Sequence, residues 1–337
     1  MIGYISRRVL LALFTTWIIT ILAFVIIELP PGDNVTHFLD RQMQLGSAMD
    51  LHLAAEVRKY FGLDKPQYQR YAIWVWRMVR YGDLGLAITQ PNEQYLAPRP
   101  VKELISNRIW TTVVLTGFTV LVTWTFAIPV GIYSAVRHHS VGDYAFTFLG
   151  FTGLAVPDFL LGLVLMYIGL AYFEKSVGGL FSAGYQDAPL SWGKLLDLLD
   201  HLWIPAIVLG TSGTASLIRI MRNNLLDELG KPYVVTARAK GMHPIRAIVK
   251  YPVRVAINPL VSTVGYLLPA LVGGSVIVSV VLGLPTLGPV FLYALTDEDV
   301  HTAGFIVLLL GMLTVAGTLI SDILLAVVDP RIKYSRE

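Results

Sequence analysis

Six stretches of this chain, about 9–29, 111–135, 144–172, 203–221, 257–282 and 303–328, reach or nearly reach the roughly 20 apolar residues a helix needs to cross about 30 Å of hydrocarbon. Between them they hold 146 of the 337 residues, spread along the chain from near its start to near its end. The composition agrees: 55% of the residues are hydrophobic, 15% are charged, and the mean hydropathy is +0.62. An all-α membrane protein with six transmembrane helices is therefore expected. The first stretch, "VLLALFTTWIITILAFVIIEL", follows Arg7 and Arg8 as the apolar region of a signal peptide would. It is long, however, and has no small-x-small cleavage site before "PPGD", so it is read as a retained helix.

Lys and Arg in the connections set the orientation. Arg7 and Arg8 precede the first span, Arg137 lies between the second and third, eight basic residues fall between Arg219 and Arg254, and Arg331, Lys333 and Arg336 close the chain. These segments, and with them both termini, are expected in the cytoplasm. The opposite short loops hold only Lys175 and Lys194 in one, and Asp297, Glu298 and Asp299 in the other. The segment 30–110 carries ten basic residues but is too long for the rule to bind it, and it is placed outside. The chain thus divides into a first helix over 1–29, an extracytoplasmic segment over 30–110, a core of spans two to six over 111–328 with a cytoplasmic loop at about 222–256, and a cytoplasmic tail over 329–337. In the outer segment, "QYQRYAIWVWRMVR" predicts an amphipathic helix whose Trp74 and Trp76 suit the membrane interface, and "RPVKELISNR" (99–108) reads as a short surface helix leading into the second span. A small domain packed on the outer helix ends and a landing surface for a partner are the two readings of this segment.

The most polar passage between spans is "YVVTARAKGMHPIRAIVKYPVR", Tyr233 to Arg254. Pro232 can open a helix without losing an internal hydrogen bond, and Gly241 can end it in the left-handed conformation. Val234, Val235, Ala237 and Ala239 are small enough to admit a close neighbour. A second helix follows in which Arg246 and Lys250, and then Lys250 and Arg254, share a face, while Ile245, Ile248 and Val249 supply an apolar side. From the residues alone, a basic loop lying on anionic lipid and a dock for a cytoplasmic protein stand equally.

"TARAKG" (236–241) with "RVAINP" (254–259) resembles the cytoplasmic coupling loop of the membrane subunits of binding-protein-dependent ATP-binding-cassette importers. The likeness to the dipeptide/oligopeptide permease branch runs along nearly the whole chain: "PGD" (31–33), "FGLDKP" (61–66), "GDLG" (82–85), "RPVKELI" (99–105), "LPTLG" (284–288) and "VDPRI" (328–332). Two stretches depart from the wider family: Val235, Thr236 and Ala237 stand where it has Glu-Ala-Ala, and Thr286 stands in "LPTLG" where glycine is common. The resemblance implies a type I importer permease fold. Tyr233, Thr236, Ala237, Arg238, Ala239, Lys240, Gly241 and Met242 would form the element that sits in a cleft of an ATPase subunit. It further implies a prokaryotic inner-membrane location, a second homologous permease, two cytoplasmic ATPases holding ATP and Mg, and an extracytoplasmic solute-binding protein. Peptides are the implied substrate, with oligosaccharides, opines and nickel chelates as alternatives within the branch.

The chain has no nucleotide-binding G-x-x-x-x-G-K-[ST] motif and no H-E-x-x-H, so no catalytic residue, bound cofactor or metal is expected in it. There are no cysteines, and a net charge of +3 gives no reason to invoke nucleic acid. His138 and His139 are read as solvated residues of a turn. Pro157 and Asp158 fall near the middle of the third span, where a carboxylate should face a cavity or a partner unless it marks a helix end. The branch usually has an uncharged residue there, which makes Asp158 a candidate for substrate selection. The fifth span, which lines the route in the resembling family, combines Pro269 with Gly273 and Gly274, so Leu268, Pro269, Gly273 and Val276 are candidate gate or lining positions, against a reading as packing alone. Asp322 should have a structural partner, an arginine of the fourth-to-fifth loop. An ATP-independent channel or carrier, and a membrane enzyme built on Asp158, are the rival classes. Neither accounts for the loop at 233–254.

Overall fold

The computed structural model describes residues 2–29, 51–87, 99–173, 178–182, 184–186, 188–189, 191–274, 276–297 and 299–328. They form α1 (Ile2–Glu28), α2 (Leu51–Phe61), α3 (Gln67–Tyr81), β1 (Leu86–Ala87), β2 (Arg99–Pro100), α4 (Val101–Val136), α5 (Val141–Ala155) and α6 (Asp158–Phe173). There follow α7 (Trp192–Leu229), α8 (Pro232–Ala239), α9 (Pro244–Lys250), α10 (Pro252–Ala256), α11 (Asn258–Gly274), α12 (Val276–Val281), α13 (Leu287–Thr296) and α14 (Val300–Val328). The calls that fall on 30–50, 88–98 and 329–337, among them "PGD", most of "VDPRI" and the basic tail, lie outside the described residues.

Among the described residues, α1, α4, α7 and α14 are long and apolar enough to span a membrane. A fifth span results if α5 and α6 count as one bent element. The sequence predicts a single helix over 144–172; instead α5 and α6 meet at a 102° bend, with Val156 and Pro157 between them. Proline has no N–H for the helical ladder and restricts the residue before it, so a break falls here. Within the stretch 257–282 the described helices are α11, 17 residues long, and α12, 6 residues long; residue 275 between them lies outside the described residues. "RPVKELISNR" is not a separate surface helix: from Val101 it is the first part of α4, and Val101 and Ile105 are fully buried. No helix breaker separates Arg108 from the span that follows.

The chain folds as two compact units. The first comprises Met1–Val9, Val113–Pro285 and Ala316–Glu337. Here α5, α6 and α10 all pack on α7, and α12 packs on α6. One core joins Leu115 to Leu202, Ile204 and Val208 of α7 and to Val278, Leu282 and Leu284. A second joins Ala127 and Ala135 of α4 to Leu217, Met221 and Leu225 of α7 and to Ile248, Val253, Ala256 and Leu260. The close approach of α4 and α7 requires Gly131, where a Cβ would stand 2.7 Å from Cβ of Met221.

The second unit comprises Leu10–Thr112 and Thr286–Val315. A Cβ on Gly304 would lie 2.2 Å from Cγ1 of Ile27, so α1 and α14 touch almost backbone to side chain. Asp299 caps α14, accepting from the N–H of Thr302 at 3.1 Å and from its hydroxyl at 2.8 Å. The N–H of Leu287, at the start of α13, donates to Oγ1 of Thr112 at 3.0 Å. The predicted amphipathic helix is α3, and its Tyr71 and Trp74 pack on Phe24 of α1.

Candidate functional site

Two prolines and a glycine shape the hairpin of α8 and α9. Pro232 and Pro244 each open a helix at a position where no internal N–H bond is lost. Gly241 lies between them at φ +79°. Its N–H donates to the carbonyl of Arg238 at 2.9 Å, and the N–H of Met242 donates to the carbonyl of Ala237 at 3.3 Å. This pair of bonds is a Schellman motif, which satisfies the last carbonyls of α8 and turns the chain sharply. Thr236 is held within the helix, its hydroxyl donating to the Pro232 carbonyl at 2.9 Å.

The helical period then sorts the side chains. Val234 and Ala237, three residues apart, face the protein at 1% and 7% exposure. Tyr233, Val235, Thr236, Arg238, Ala239 and Lys240 face outward, and Met242 is half-buried. In α9 the predicted apolar side is split. Ala247 and Ile248 are buried, whereas Ile245 and Val249 are exposed. With His243, Arg246 and Lys250 they line an open depression. Packing on one side takes Ile248, which joins the core of α4 and α7, and a helix of 7 residues has too few turns to hide the other two. The outer surface of the hairpin is therefore small apolar groups interleaved with cations, while its inner surface is bolted to two long helices.

Glu228 stands just before the hairpin. It lies in the last turn of α7 and accepts a hydrogen bond from the Tyr233 hydroxyl. Burial, aided by this carboxylate, pushes the Tyr233 phenol up to about 12. The bond ties the start of α8 to the end of α7 across the Gly230–Lys231 turn.

A second feature has no counterpart in the sequence reading. Arg222 of α7 binds Asp143 of α5 at two points, Nε to Oδ1 at 2.9 Å and Nη2 to Oδ2 at 2.8 Å. The same carboxylate accepts from the N–H of His139 at 3.0 Å, and Ser140 caps α5 by accepting from the N–H of Asp143 at 3.2 Å. The spacing of Ser140 and Asp143 was a legible capping signal. Nothing local pointed to Arg222, 79 residues away. His139 is more than a solvated turn residue, since it takes a φ of +61° to present its N–H to Asp143.

The candidate pathway residues fall on neighbouring elements of the first unit. Pro157 stands at the break, and Asp158 is half-buried in the first turn of α6, the helix-end position that was one of its readings. α6 packs on α12, which Val276 opens, and a Cβ on Gly162 would meet Cδ2 of Leu282 at 3.5 Å. Leu268, Pro269 and Gly273 lie on α11, with Pro269 inside the helix. The side chain of Leu268 and the surroundings of Gly273 lie outside the described residues. Asp322 does have a structural partner, but the structure supplies Arg8 of α1, Nη1 to Oδ2 at 2.8 Å, where the loop arginines were expected. Arg254 instead directs Nε at the Val328 carbonyl, 3.3 Å away.

Several apolar spans, with an exposed helical hairpin seated on two of them, define a multi-pass helical membrane protein. Residues 127–334 match the family described as binding-protein-dependent transport system inner membrane component, and the chain belongs to that family. It is 36% identical over 334 residues to the oligopeptide transport system permease protein AppB of Bacillus subtilis, covering 99% of this chain and all of the relative. It is 31% identical over 352 residues to the dipeptide transport system permease protein DppB of Escherichia coli, each chain being covered in full. A putative peptide permease protein of Brucella ovis is 31% identical over 337 residues, covering 99% of this chain and all of the relative. Residues 236–241 of the hairpin fall within the matched region.

Proposed function

We propose that this chain is the membrane-spanning permease subunit of an ATP-driven peptide importer, and that residues 233–242 are its dock for a cytoplasmic ATPase. The observation that carries the reading is the two-sided hairpin: Arg238 and Lys240 project outward while Val234, Ala237 and Ile248 anchor it to the protein. A groove on an ATPase would accept the exposed faces of Val235, Thr236 and Ala239, with carboxylates meeting the two cations. Closure of the ATPases then moves α8. Because Ile248, Val253 and Ala256 share a core with Leu217, Met221 and Leu225, that movement cannot stay local and passes to α7. The names of the relatives from Bacillus subtilis and Escherichia coli support peptides as the cargo.

In this reading a second, homologous permease completes the pathway, two ATPases bind ATP and Mg, and a solute-binding protein delivers cargo from outside. The chain sits in a prokaryotic inner membrane with both termini cytoplasmic, 30–110 outside, 111–328 as the permease core and 329–337 as a tail. Asp158, with Pro157, Leu268, Pro269, Gly273 and Val276, borders the route.

The test is ATP hydrolysis and peptide uptake by the reconstituted complex. Arg238→Glu and Gly241→Val should insert normally yet lose uptake, with ATP hydrolysis no longer stimulated by loaded binding protein. Normal coupled transport in both variants would overturn the assignment of the hairpin.

A further inference from the structure

Helix α3 (Gln67–Tyr81) packs one face against α1 and leaves an apolar face exposed. On the packed face the Tyr71 hydroxyl lies 2.8 Å from Oγ1 of Thr20, and the rings of Tyr71 and Trp74 lie 5.4 and 5.9 Å from that of Phe24. Arg70 pairs with Glu28 at 2.7 Å. Arg77 donates to the Tyr60 carbonyl at 2.6 Å and lies over its ring. The other face is a stripe of Tyr68, Ala72, Trp76 and Val79, spaced to fall on one side of the helix and all exposed, Trp76 at 62% and Val79 at 77%. The stripe holds no charge.

The contacts of the packed face fix the depth of the helix. Thr20 and Phe24 belong to the apolar span of α1, which ends at Glu28. At 1.5 Å per residue they lie about 12 and 6 Å back from that end. α3 is thus held against α1 at the level of the hydrocarbon and not above it. On the side of α1 turned away from Thr20 and Phe24, Leu22, Val25 and Ile26 at the same level are exposed and apolar as well. The two central cations of α3 are already matched within the protein, so the exposed stripe can enter lipid without dragging an unmatched charge along, while Arg80 and Tyr81 at the end of the helix can reach toward headgroups.

We propose that α3 is a membrane-embedded interfacial helix whose Tyr68–Ala72–Trp76–Val79 stripe lies among the acyl chains of the leaflet at which α1 ends. The segment between the first two spans is then anchored in the bilayer along its own length, and α3 is a fixed lateral brace for α1. A charged protein partner would find no complement on this stripe, whereas acyl chains reach the same level as the exposed apolar residues of α1.

The chain contains no cysteine, so a single introduced thiol reports from one place. Trp76→Cys and Val79→Cys, each carrying a nitroxide in the full chain reconstituted in phosphatidylcholine–phosphatidylglycerol vesicles, should collide more often with oxygen than with a water-soluble nickel chelate. The ratio should approach that of Leu22→Cys on the lipid face of α1 and differ from that of Lys65→Cys in the exposed turn before α3. A ratio like that of Lys65→Cys would overturn the proposal by placing the stripe in water. Immobilised nitroxides shielded from both reagents would overturn it by showing a protein covering. If Trp76→Cys misfolds, Val79→Cys and Ala72→Cys decide the matter alone.

Discussion

Arg222 and Asp143 meet through two parallel N–H to oxygen contacts of 2.9 and 2.8 Å, joining the C-terminal half of α7 to the first turn of α5. The carboxylate is almost fully buried and the guanidinium partly so. Such planar two-point pairing is specific to arginine, and each partner neutralises a charge that would otherwise be stranded. Arg222 follows Met221 and lies one helical turn before Leu225, both of which belong to the core that also takes Ile248 of the hairpin.

Removing one partner should therefore cost much more than removing both. Arg222→Met leaves Asp143 buried and unmatched, and by analogy with other broken buried pairs the loss is about 3–5 kcal/mol. The double change Asp143→Asn with Arg222→Met should recover most of it. Thermal unfolding of the detergent-solubilised chain checks this, and additive losses in the double variant would show that the two residues act independently.

Tyr233 should resist ionisation. Its phenol is displaced upward from 10.0 to about 12, so the folded state holds this proton more tightly than the unfolded one. The sign follows: the contribution is complete below pH 10 and disappears as pH rises through about 12. The ultraviolet difference titration of the wild type against Tyr233→Phe should show one tyrosine with a midpoint near the upper value. A midpoint near 10 would mean that the bond to Glu228 is not kept in solution.

At Gly304 the neighbouring Ile27 leaves no room for a methyl group. Gly304→Ala should destabilise the protein by about 1–3 kcal/mol through overpacking. Ile27→Ala should restore part of the loss when combined with it, because the collision is with that side chain. Melting temperatures of the three variants test the contact, and an unrescued double variant would locate the cost elsewhere.

Asp158 should matter for transport more than for folding. It is half-buried at the start of α6, where a helix N-terminus tolerates a carboxylate or its amide. Asp158→Asn should shift the melting temperature little and lower peptide uptake by the reconstituted complex. Unchanged uptake would remove this residue from the proposed route.

Much of the site was readable locally. The helix opened by Pro232 and the left-handed Gly241 depend on backbone preferences of a few adjacent residues, and the structure places both as read, whereas the bend at Pro157 divides a stretch that reads as one helix. The burial of Ile248 beside exposed Ile245 and Val249, and the choice of Arg8 for Asp322, are instead decided by distant neighbours. An apolar residue in a membrane protein is also ambiguous in a way it is not in a soluble one, because lipid and core accept it equally. Hydropathy could mark α1 as a span, yet it could not tell that Ile27 faces Gly304 while Ile26 faces outward.

From the sequence alone came the membrane character, the principal spans and the hairpin with its glycine turn, because run length, proline and glycine act over a single helix. The tertiary structure decided which face of each helix is inside, that Arg222 answers Asp143, and that the hairpin shares a core with α4 and α7. Those outcomes depend on side chains brought together from far apart in the chain, where shape and charge match only after the helices have packed.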